Sequence, residues 1–455
     1  MNLITRNGTL LGLALLTANA TLAAEQAIDQ STARGFVEGQ KVDLVTRNFF
    51  SHERTQDSFS FTIPKDDGGE PTRDRWTWVQ GTRLIYNSGY TEGTVGVGLD
   101  LEAIGAVNLE RGKGRIAGGG NRTLADSNGH GVAEWSKMGV ANLRLRASRS
   151  ELKAGRFRVD TPVFSYIYNR ALPSSFDGVA LDSFELDSLS LHAGSFRQVS
   201  PRSRAGSEDF TTEYGTREVR SDRMSYVGAR HTPVEGLELS LFSARFEDVW
   251  NQHFLGATHE LGDPEELALR TELRAYSTRD QGARKAGYID NDSWSLAFNL
   301  THRAHSLTLG WQRVHGDEFF DYVNETDAIH LGNSRYSDYN GPNERSALFS
   351  YDFDWSQYGV PGVSTGYWYV KGWGIDGTRY RGDRNGAYGN YAEVRAMDGE
   401  RHREYGLSLN YKVPGGNLEG STVRVLYMEH KASKQQVDGS TNELRIVSTF
   451  PFNLL

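Results

Sequence analysis

The sequence predicts an all-β protein, namely a transmembrane antiparallel β-barrel. Three observations favour this class: a secretory signal at the N-terminus, repeated alternation of apolar and polar residues, and a predicted strand that runs to the last residue. A strand at the end of a chain needs a partner for its backbone groups, and a closed barrel supplies one by joining the last strand to the first. We therefore expect a single barrel domain over residues 25–455.

The first 24 residues have the order of a cleaved secretory signal peptide. Arg6 supplies the positive charge, an apolar run covers residues 10–16, and mostly small residues fill positions 18–24. The apolar run is too short to cross a bilayer as a helix, and no later segment approaches that length. We predict export with removal of residues 1–24, although cleavage after Ala20 or Ala23 also fits.

The composition suits this class and excludes several others. The mean hydropathy of -0.55 would suit a soluble protein, but a transmembrane barrel whose strands face water on one side gives the same value, so hydropathy does not exclude the membrane. The chain has no cysteine, which excludes disulfides, thiolate metal sites and iron–sulfur clusters. Its 21 Tyr, 21 Phe and 9 Trp suit strands and the aromatic girdles of a membrane barrel. The net charge of -8 argues against nucleic-acid binding.

Period-two alternation marks the predicted strands in chain order. Successive side chains of a strand point to opposite faces, so each of these segments has one apolar and one polar face. Several of the apolar rows end in Tyr or Trp, as an interfacial girdle requires. The segments are 95–102, 141–147, 293–301, 346–355, 405–413 and 445–455.

Short turns alternate with long polar loops between these segments. Turns are predicted at residues 149–150 and 232–233, and long loops at 112–133, 197–220 and 316–344. Alternation alone fits any antiparallel sheet with one wet face. Short turns at one end and long loops at the other are typical of outer-membrane barrels. Strands of about ten residues give about 16–18 strands, enough to enclose a water-filled lumen.

Short segments spread over almost the whole mature chain follow the order of a known family. Examples are Leu44-Val-Thr-Arg47-Asn-Phe-Phe50 and Glu134-Trp-Ser-Lys-Met-Gly139. Further segments lie within residues 80–100, 150–155, 162–176, 333–346 and 351–362. Each segment alone is a weak signal, but from Gly35 onward their shared order resembles the OprD family of substrate-specific outer-membrane porins of pseudomonads.

This resemblance implies an 18-stranded barrel in the outer membrane, either monomeric or a loose homotrimer, with lipid and lipopolysaccharide around it. Some of its long loops fold into the pore, and a row of Arg and Lys guides small carboxylate solutes, either amino acids or aromatic and other organic acids. The predicted function is therefore a passive, substrate-selective porin that is not an enzyme. The resemblance leaves the particular solute open.

Eight basic residues are candidates for the pore row. Spaced guanidinium and ammonium groups replace part of the hydration of a carboxylate without trapping it. Parity and the matching segments select Arg47, Arg83, Arg144, Arg146, Lys153, Lys412, Arg424 and Arg445. Where the family usually has a second Arg two residues after Arg83, this chain has Ile85, so one basic position is moved or lost. The alternative is that these residues only pair with inward acids such as Asp100 and Glu102.

Two loop segments are candidates for the constriction because they match the third and seventh loops of the family. Their polar residues are Asn169, Arg170, Ser174, Ser334, Arg335 and Asp338. The family often has Asp after the Asn at position 169, where this chain has Arg170. An acid facing a basic row would select solutes that carry both charges, or would tune the field. The alternative is an ordinary solvated loop tip.

Two motifs that are known from catalytic or cofactor sites lack the flanking secondary structure that those sites need. Residues 362–366 match G-x-S-x-G around Ser364, but a turn precedes them and a strand follows, whereas a nucleophile elbow needs a strand and then a helix. Residues 372–377 match G-x-G-x-x-G but open no apolar helix. The 12 His are scattered and form no H-E-x-x-H motif, so we predict no cofactor and no structural metal. The acid-rich loops leave loop-bound calcium open.

Two rival functions remain beside the porin. One is a barrel hydrolase with a Ser/His pair at the rim, for which the sequence offers no constellation of Ser, His and acid. The other is a non-transporting adhesive or structural barrel with a plugged lumen. The charge-rich inner faces argue against the second rival.

Overall fold

The computed structural model describes residues 29–56, 61–65, 68–110, 124, 131–215, 219–327, 329–382, 384 and 391–455. The predicted signal peptide lies outside the described residues, as does most of the predicted loop at 112–133. Within the predicted domain, the described residues begin at Asp29.

Eighteen antiparallel strands form the main sheet, and we label them β1–β18 in chain order. They are β1 (Lys41–Thr55), β2 (Asp74–Asn87), β3 (Val95–Asn108), β4 (Glu134–Ala147), β5 (Ser150–Phe157), β6 (Ser175–Leu186), β7 (Leu189–Ser200), β8 (Met224–Val234), β9 (Leu237–Phe246), β10 (Trp250–Asp263), β11 (Leu267–Asp280), β12 (Asp290–His302), β13 (His305–His315), β14 (Arg345–Asp354), β15 (Val363–Asp376), β16 (Asp398–Lys412), β17 (Thr422–Ala432) and β18 (Thr441–Asn453).

The sheet closes on itself. β1 pairs with β2 on one side and with β18 on the other. The closing register runs from Asp43 opposite Asn453 to Thr55 opposite Thr441. Closure pairs the backbone groups that a first and a last strand would otherwise expose. The predicted antiparallel barrel is confirmed.

Alternation along the strands separates the lumen from the outer surface. In β4, Leu143 and Leu145 are exposed on the outside, whereas Asn142 and Arg146 are buried on the inside. Exposed Leu, Val, Tyr and Trp side chains recur on the outside of the other strands, as in Trp311 of β13. An apolar outer surface of this kind suits contact with lipid.

The connections are mostly short at one end of the barrel and mostly long at the other, where residues 247–249 form a three-residue exception. Residues 148–149, 187–188, 235–236 and 303–304 are two-residue turns, whereas residues 158–174, 201–223 and 316–344 form long connections. The turn predicted at 232–233 is wrong, because those residues belong to β8. The chain reverses at Gly236 instead, whose φ of 80° suits glycine.

Three small hairpins and little helix complete the described elements. The hairpins pair Phe61–Lys65 with Gly68–Thr72, Asp160–Thr161 with Phe164–Ser165, and Phe210–Thr211 with Arg220–Ser221. The helical elements are two 3₁₀ turns, Gln30–Thr32 and Trp355–Tyr358, and α1 (Tyr391–Ala396). Among the described residues, no helix has both the length and the apolarity needed to cross a membrane.

An aromatic cluster inside the long-loop end fixes the loops against the wall. Phe164, from the connection between β5 and β6, lies 4.2 Å from Phe176 and 5.1 Å from Phe196, measured between ring centroids. All three rings are fully buried. This packing holds the connection inside the barrel rather than above it.

Candidate functional site

A cavity of about 1020 Å³ lies inside the barrel. The wall strands line it together with two inward-folded connections, which we call loop A (residues 158–174) and loop B (residues 316–344). Loop A contributes Tyr168 and Asn169, among others, and loop B contributes Asp327 and Arg335. The barrel wall and these two loops therefore form one chamber.

The lining of this cavity carries an excess of positive charge. Ten Lys and Arg side chains line it, against six Asp and Glu. The chain as a whole has the opposite sign, with a net charge of -8. The basic residues of the lining are Arg47, Lys153, Arg158, Arg170, Arg230, Arg270, Arg274, Arg335, Arg424 and Arg445. A low-dielectric chamber of one sign concentrates solutes of the other sign.

Four of these residues form an arginine cluster, which we define as Arg47, Arg335, Arg424 and Arg445. Arg424 of β17 lies opposite Val447 of β18, and Arg445 lies two residues from Val447 on the same face. Arg47 of β1 and Arg335 of loop B also interact electrostatically with Arg424. The closing strands and loop B thus concentrate four guanidinium groups on one wall.

Two members of the arginine cluster have defined side-chain partners. Arg445 donates from Nε and Nη2 to the two carboxylate oxygens of Glu443, each at 2.8 Å. Arg47 stacks on Tyr168 of loop A, with Cζ 4.0 Å from the ring centroid. The stacking orients the Arg47 guanidinium without neutralising its charge.

The members of the arginine cluster differ in whether a carboxylate lies close enough to form an ion pair. Arg335 donates to backbone carbonyl oxygens of loop B. Within the described part of the chain, Arg47, Arg335 and Arg424 have no carboxylate at ion-pair distance. Their planar guanidinium groups are suited to bind a carboxylate from outside the protein.

A second basic group lies on β11, six strands away from β17. Arg270 and Arg274 flank Glu272, with nitrogen–oxygen distances of 2.7 and 2.8 Å. Arg274 also donates to the His330 carbonyl of loop B at 2.7 Å. Both arginines therefore pair with an acid of the same strand and also line the cavity. The sequence analysis missed them, although in residues 269–274 Leu or Thr alternates with the charged residues Arg270, Glu272 and Arg274, which predicts a strand with a charged inner face.

Four of the eight basic residues predicted for the row line the cavity: Arg47, Lys153, Arg424 and Arg445. Lys153 is neutralised by Glu151, whose carboxylate lies 3.0 Å from its Nζ. The sequence analysis also missed Arg158 and Arg230, which line the same chamber.

Arg144 and Arg146 face inward but are not among the residues lining this cavity. Arg146 donates from Nε to Gln30 at 3.0 Å, and its Cζ lies 3.8 Å from the Tyr90 ring centroid. Arg144 forms an ion pair with Asp100 at 3.1 Å. The N-terminal segment holds Arg146 and a neighbouring acid pairs with Arg144 near the short-turn end, and the role of the two residues in the basic row stays a prediction.

Arg83 and Lys412 also lie outside the lining. Arg83 forms an ion pair with Glu102 at 2.7 Å, and its Cζ lies 5.3 Å from the Tyr168 ring centroid, which places Tyr168 beside it. Lys412 is the last residue of β16, at the short-turn end. For Arg83 and Arg144, the alternative of pairing with an inward acid describes the structure.

The six loop candidates divide into lining residues and internal braces. Asn169, Arg170, Ser334 and Arg335 line the cavity. Ser174 is fully buried, and its Oγ accepts the Ile167 backbone N–H at 3.0 Å, so it holds loop A in shape instead. This placement corrects the prediction that Ser174 lines the constriction.

Asp338 braces loop B and is not among the residues that line this cavity. Its carboxylate accepts the hydroxyl groups of Tyr214 at 2.8 Å and Tyr322 at 2.9 Å. Ser334 of the same loop donates to the other oxygen at 2.9 Å. These contacts brace loop B, and the placement of Asp338 at the narrowest point stays a prediction.

Titratable groups of loop B tune the charge of the chamber. Burial, together with the nearby Asp338, raises the pKa of Asp327 to about 6. Burial and the neighbouring Arg274 lower the pKa of His330 to about 4. Near neutral pH, Asp327 is therefore charged and His330 is neutral.

Comparisons with known proteins agree with the fold. A family model described as outer membrane porin, OprD family, matches residues 34–454. Porin D of Pseudomonas aeruginosa is 33% identical, over 94% of each chain. The crystal structure of Pseudomonas aeruginosa OccD3 (OpdP) is similar with a TM-score of 0.83 and 57% identity, over 94% of each chain. The structure of Pseudomonas aeruginosa OpdK with vanillate has a TM-score of 0.79 and 29% identity, over 92% of this chain and 100% of that one.

Proposed function

Because the chain belongs to the OprD family of outer-membrane porins, we propose that it is a passive, selective diffusion channel for small carboxylate solutes. The observation that carries this proposal is the arginine cluster, in which Arg47, Arg335 and Arg424 line the chamber and have no carboxylate at ion-pair distance among the described residues. Asp352 of β14 interacts electrostatically with Arg335 and Arg424 from a longer distance. Solutes move down their own gradient, and the protein performs no chemistry.

The arginines replace water around the carboxylate as it passes. Each guanidinium presents a fork of N–H donors that matches a carboxylate. A hydrogen bond to a charged group contributes about 1.5–3 kcal/mol net, which offsets part of the lost hydration. Several such sites side by side let the solute move from one to the next, which is the condition for flux rather than retention.

The rest of the solute meets an apolar and aromatic surface beside the cluster. Leu426 and Met428 follow Arg424 on the inner face of β17, and Trp368 lines the same wall. Aromatic and aliphatic groups gain from contact with such side chains. The vanillate of the related OpdK structure is a carboxylate with an aromatic ring, and this supports the proposed class.

Proteoliposome efflux of glucuronate and glucose tests the proposal, because the two solutes are similar in size and differ in the carboxylate. We expect Arg424→Gln to lower glucuronate permeability by roughly tenfold, as one charge-assisted interaction is lost, and to leave glucose permeability unchanged.

The matched control is Arg245→Gln. Arg245 is exposed on β9, forms an ion pair with Glu247 at 2.9 Å and lies outside the cavity lining. It should leave both permeabilities at the wild-type level. Equal permeation of glucuronate in wild type and Arg424→Gln, with both proteins folded, would remove the arginine cluster from the mechanism.

A further inference from the structure

Two buried histidines lie behind loop B in the barrel wall. His402 belongs to β16 and His430 to β17, and the pairing of these strands brings them together, because Glu404 lies opposite His430. His402 is 3% exposed and His430 is fully buried. Neither lines the chamber described above, so the channel proposal gives them no role.

One nitrogen of each ring already has an acceptor. Nε2 of His402 lies 2.6 Å from a carboxylate oxygen of Glu344, and Nδ1 of His430 lies 2.7 Å from the carbonyl oxygen of Gly439. Carboxylate and carbonyl oxygens only accept, so these two nitrogens carry the hydrogens. In the neutral rings, the lone pairs are then on Nδ1 of His402 and Nε2 of His430.

These two nitrogens face each other at 2.8 Å. Two lone pairs at that distance repel, so a positively charged species is needed between them, either a proton or a metal ion. A carboxylate oxygen of Asp438 lies 4.0 Å from the same nitrogen of His402. The three ligand atoms, from His402, His430 and Asp438, all lie within 4.8 Å of one another.

We propose that His402 Nδ1, His430 Nε2 and the Asp438 carboxylate bind one divalent transition-metal ion of the zinc type. A tetrahedral zinc ion with zinc–nitrogen bonds of about 2.0–2.1 Å holds its two nitrogens about 3.3–3.4 Å apart. The two nitrogens, which are 2.8 Å apart without an ion, therefore separate by about 0.5 Å when the ion binds. The hydroxyl of Ser337, which is 3.4 Å from His402 Nδ1, or a water completes the coordination. Imidazole ligands favour zinc over calcium or magnesium, which prefer oxygen.

The surroundings match those of metal-binding histidines. Such histidines donate the second ring N–H to a carboxylate or a carbonyl, which fixes the tautomer and the ring orientation. Glu344 and Gly439 do this here, and Glu344 is itself fixed by the Gly341 backbone N–H at 2.9 Å. A Cβ at Gly372 would lie 2.0 Å from Glu344, so only glycine at this position leaves space for the Glu344 carboxylate beside His402.

The site joins three parts of the molecule. Asp438 belongs to the connection between β17 and β18, its side chain is 26% exposed and provides the entry path, and it accepts the Ser337 hydroxyl of loop B. The backbone N–H groups of Tyr336 and Ser337 donate to Glu404 at 3.1 and 3.0 Å. A bound metal therefore fixes the part of loop B that carries Arg335 into the chamber.

Metal titration of the purified, folded protein tests the proposal. After removal of metal with a chelator, we expect one equivalent of Zn²⁺ to bind by calorimetry, without competition from Ca²⁺ or Mg²⁺. Co²⁺ in the same site should give the visible absorption of a tetrahedral complex with nitrogen and oxygen ligands. Failure of the folded wild-type protein to bind one equivalent of Zn²⁺ would mean that a shared proton joins the two rings, and it would overturn the proposal whatever the variants do.

Variants locate the ion. His430→Gln and Asp438→Asn should each weaken Zn²⁺ binding at least tenfold, and Glu344→Gln should weaken it by about 10- to 100-fold through the orientation of His402. The control is His192→Gln, which changes a buried histidine that lies 2.8 Å from Asp182. It should bind Zn²⁺ like the wild type. Wild-type affinity in His430→Gln would place the metal elsewhere and overturn the assignment.

Discussion

At the scale of single residues, counter-charge separates side chains that hold the barrel from those that can bind a solute. Arg75 forms a bidentate pair with the fully buried Glu53 at 2.6 and 2.8 Å, and removal of one partner from such a pair costs about 3–5 kcal/mol. Arg424 has no carboxylate at ion-pair distance among the residues that the structure describes and interacts with Asp352 only over a longer distance, so its substitution should cost less stability. This difference makes Arg424 the better functional probe.

A glycine on the inner wall sets the position of an aromatic side chain at the chamber. A Cβ at Gly406 would lie 1.9 Å from the Trp368 indole, which donates to Glu404 at 2.9 Å. Gly406→Ala should therefore destabilise the protein by about 1–3 kcal/mol, because the ring has to move out of a packed site. Urea unfolding in lipid vesicles measures the change.

The matched control for that substitution is Gly105→Ala in β3. A Cβ at Gly105 meets no atom within 4 Å among the described residues. Its effect on stability should stay within about 0.5 kcal/mol. An equal effect of the two substitutions would show that the contact with Trp368 does not limit position 406.

Inward orientation was predictable for individual residues, but position along the barrel axis was not. Alternation places Arg144 and Arg146 on the inner face, where the structure has them. Their partners come from afar, since Gln30 is separated from Arg146 by 116 residues. A period of two predicts which face of the sheet a side chain lies on, but it does not predict the position of the residue along the barrel axis. The sequence reasoning therefore placed Arg144 and Arg146 in one row with Arg424.

At the scale of elements, one buried ion pair ties loop B to the connection between β7 and β8. Arg202 donates to Glu325 of loop B at 2.8 Å and to Asn169 of loop A, and both members of the ion pair are about 5% exposed. The two inward loops are thus linked through a third segment. The sequence offered no sign of this link, because its partners are 123 residues apart.

Removal of this link should loosen the constriction. Arg202→Met leaves Glu325 buried without its main partner, at a local cost of about 3–5 kcal/mol. We expect larger open-channel current noise in single-channel recordings, with the barrel still folded.

Arg204→Met is the control for Arg202→Met. The Arg204–Glu208 pair, at 2.9 Å, is partly exposed and contributes at most about 1 kcal/mol. Its noise should equal that of the wild type. Quiet, unchanged currents in Arg202→Met would contradict the role of the ion pair in fixing the loops.

We also expect the ion selectivity of the channel to depend on pH, because Asp327 of loop B titrates at about pH 6. The pKa of Asp327, raised to about 6 by burial, means that its charge is present at about pH 7.5 and lost at about pH 5. The loss of a negative charge makes the chamber more positive, so the preference for anions should rise as the pH falls. Reversal potentials across a KCl gradient measure this change.

Asp327→Asn removes the titrating group and should keep the higher anion preference at both pH values. The substitution retains the size and polarity of the side chain. If this variant responds to pH as the wild type does, another group is responsible.

At the scale of the whole molecule, the sequence predicted the architecture better than the chamber. Alternating faces, short turns and long loops led to a closed antiparallel barrel because these signals are local. The turn predicted at 232–233 was wrong because β8 continues through Pro233 with an irregular register before it reverses at Gly236. The chamber depends on loops A and B, whose places are set by contacts between distant segments.

The same limit applies to the proposed metal site. The 12 histidines look scattered along the chain, which led to the prediction of no structural metal. The register of β16 on β17 and the connection that carries Asp438 bring three ligand atoms together. This proximity could not be predicted from the sequence, because it depends on the pairing register of the two strands.

Single-channel recording in a planar bilayer tests the central claim most directly. With KCl on both sides, glucuronate added at the long-loop side should interrupt the current in proportion to its concentration, and glucose should not. The interruptions should disappear in the Arg47→Gln/Arg424→Gln double variant. An open channel whose current is unaffected by glucuronate, or is interrupted equally by glucose, would contradict carboxylate recognition by the arginine cluster.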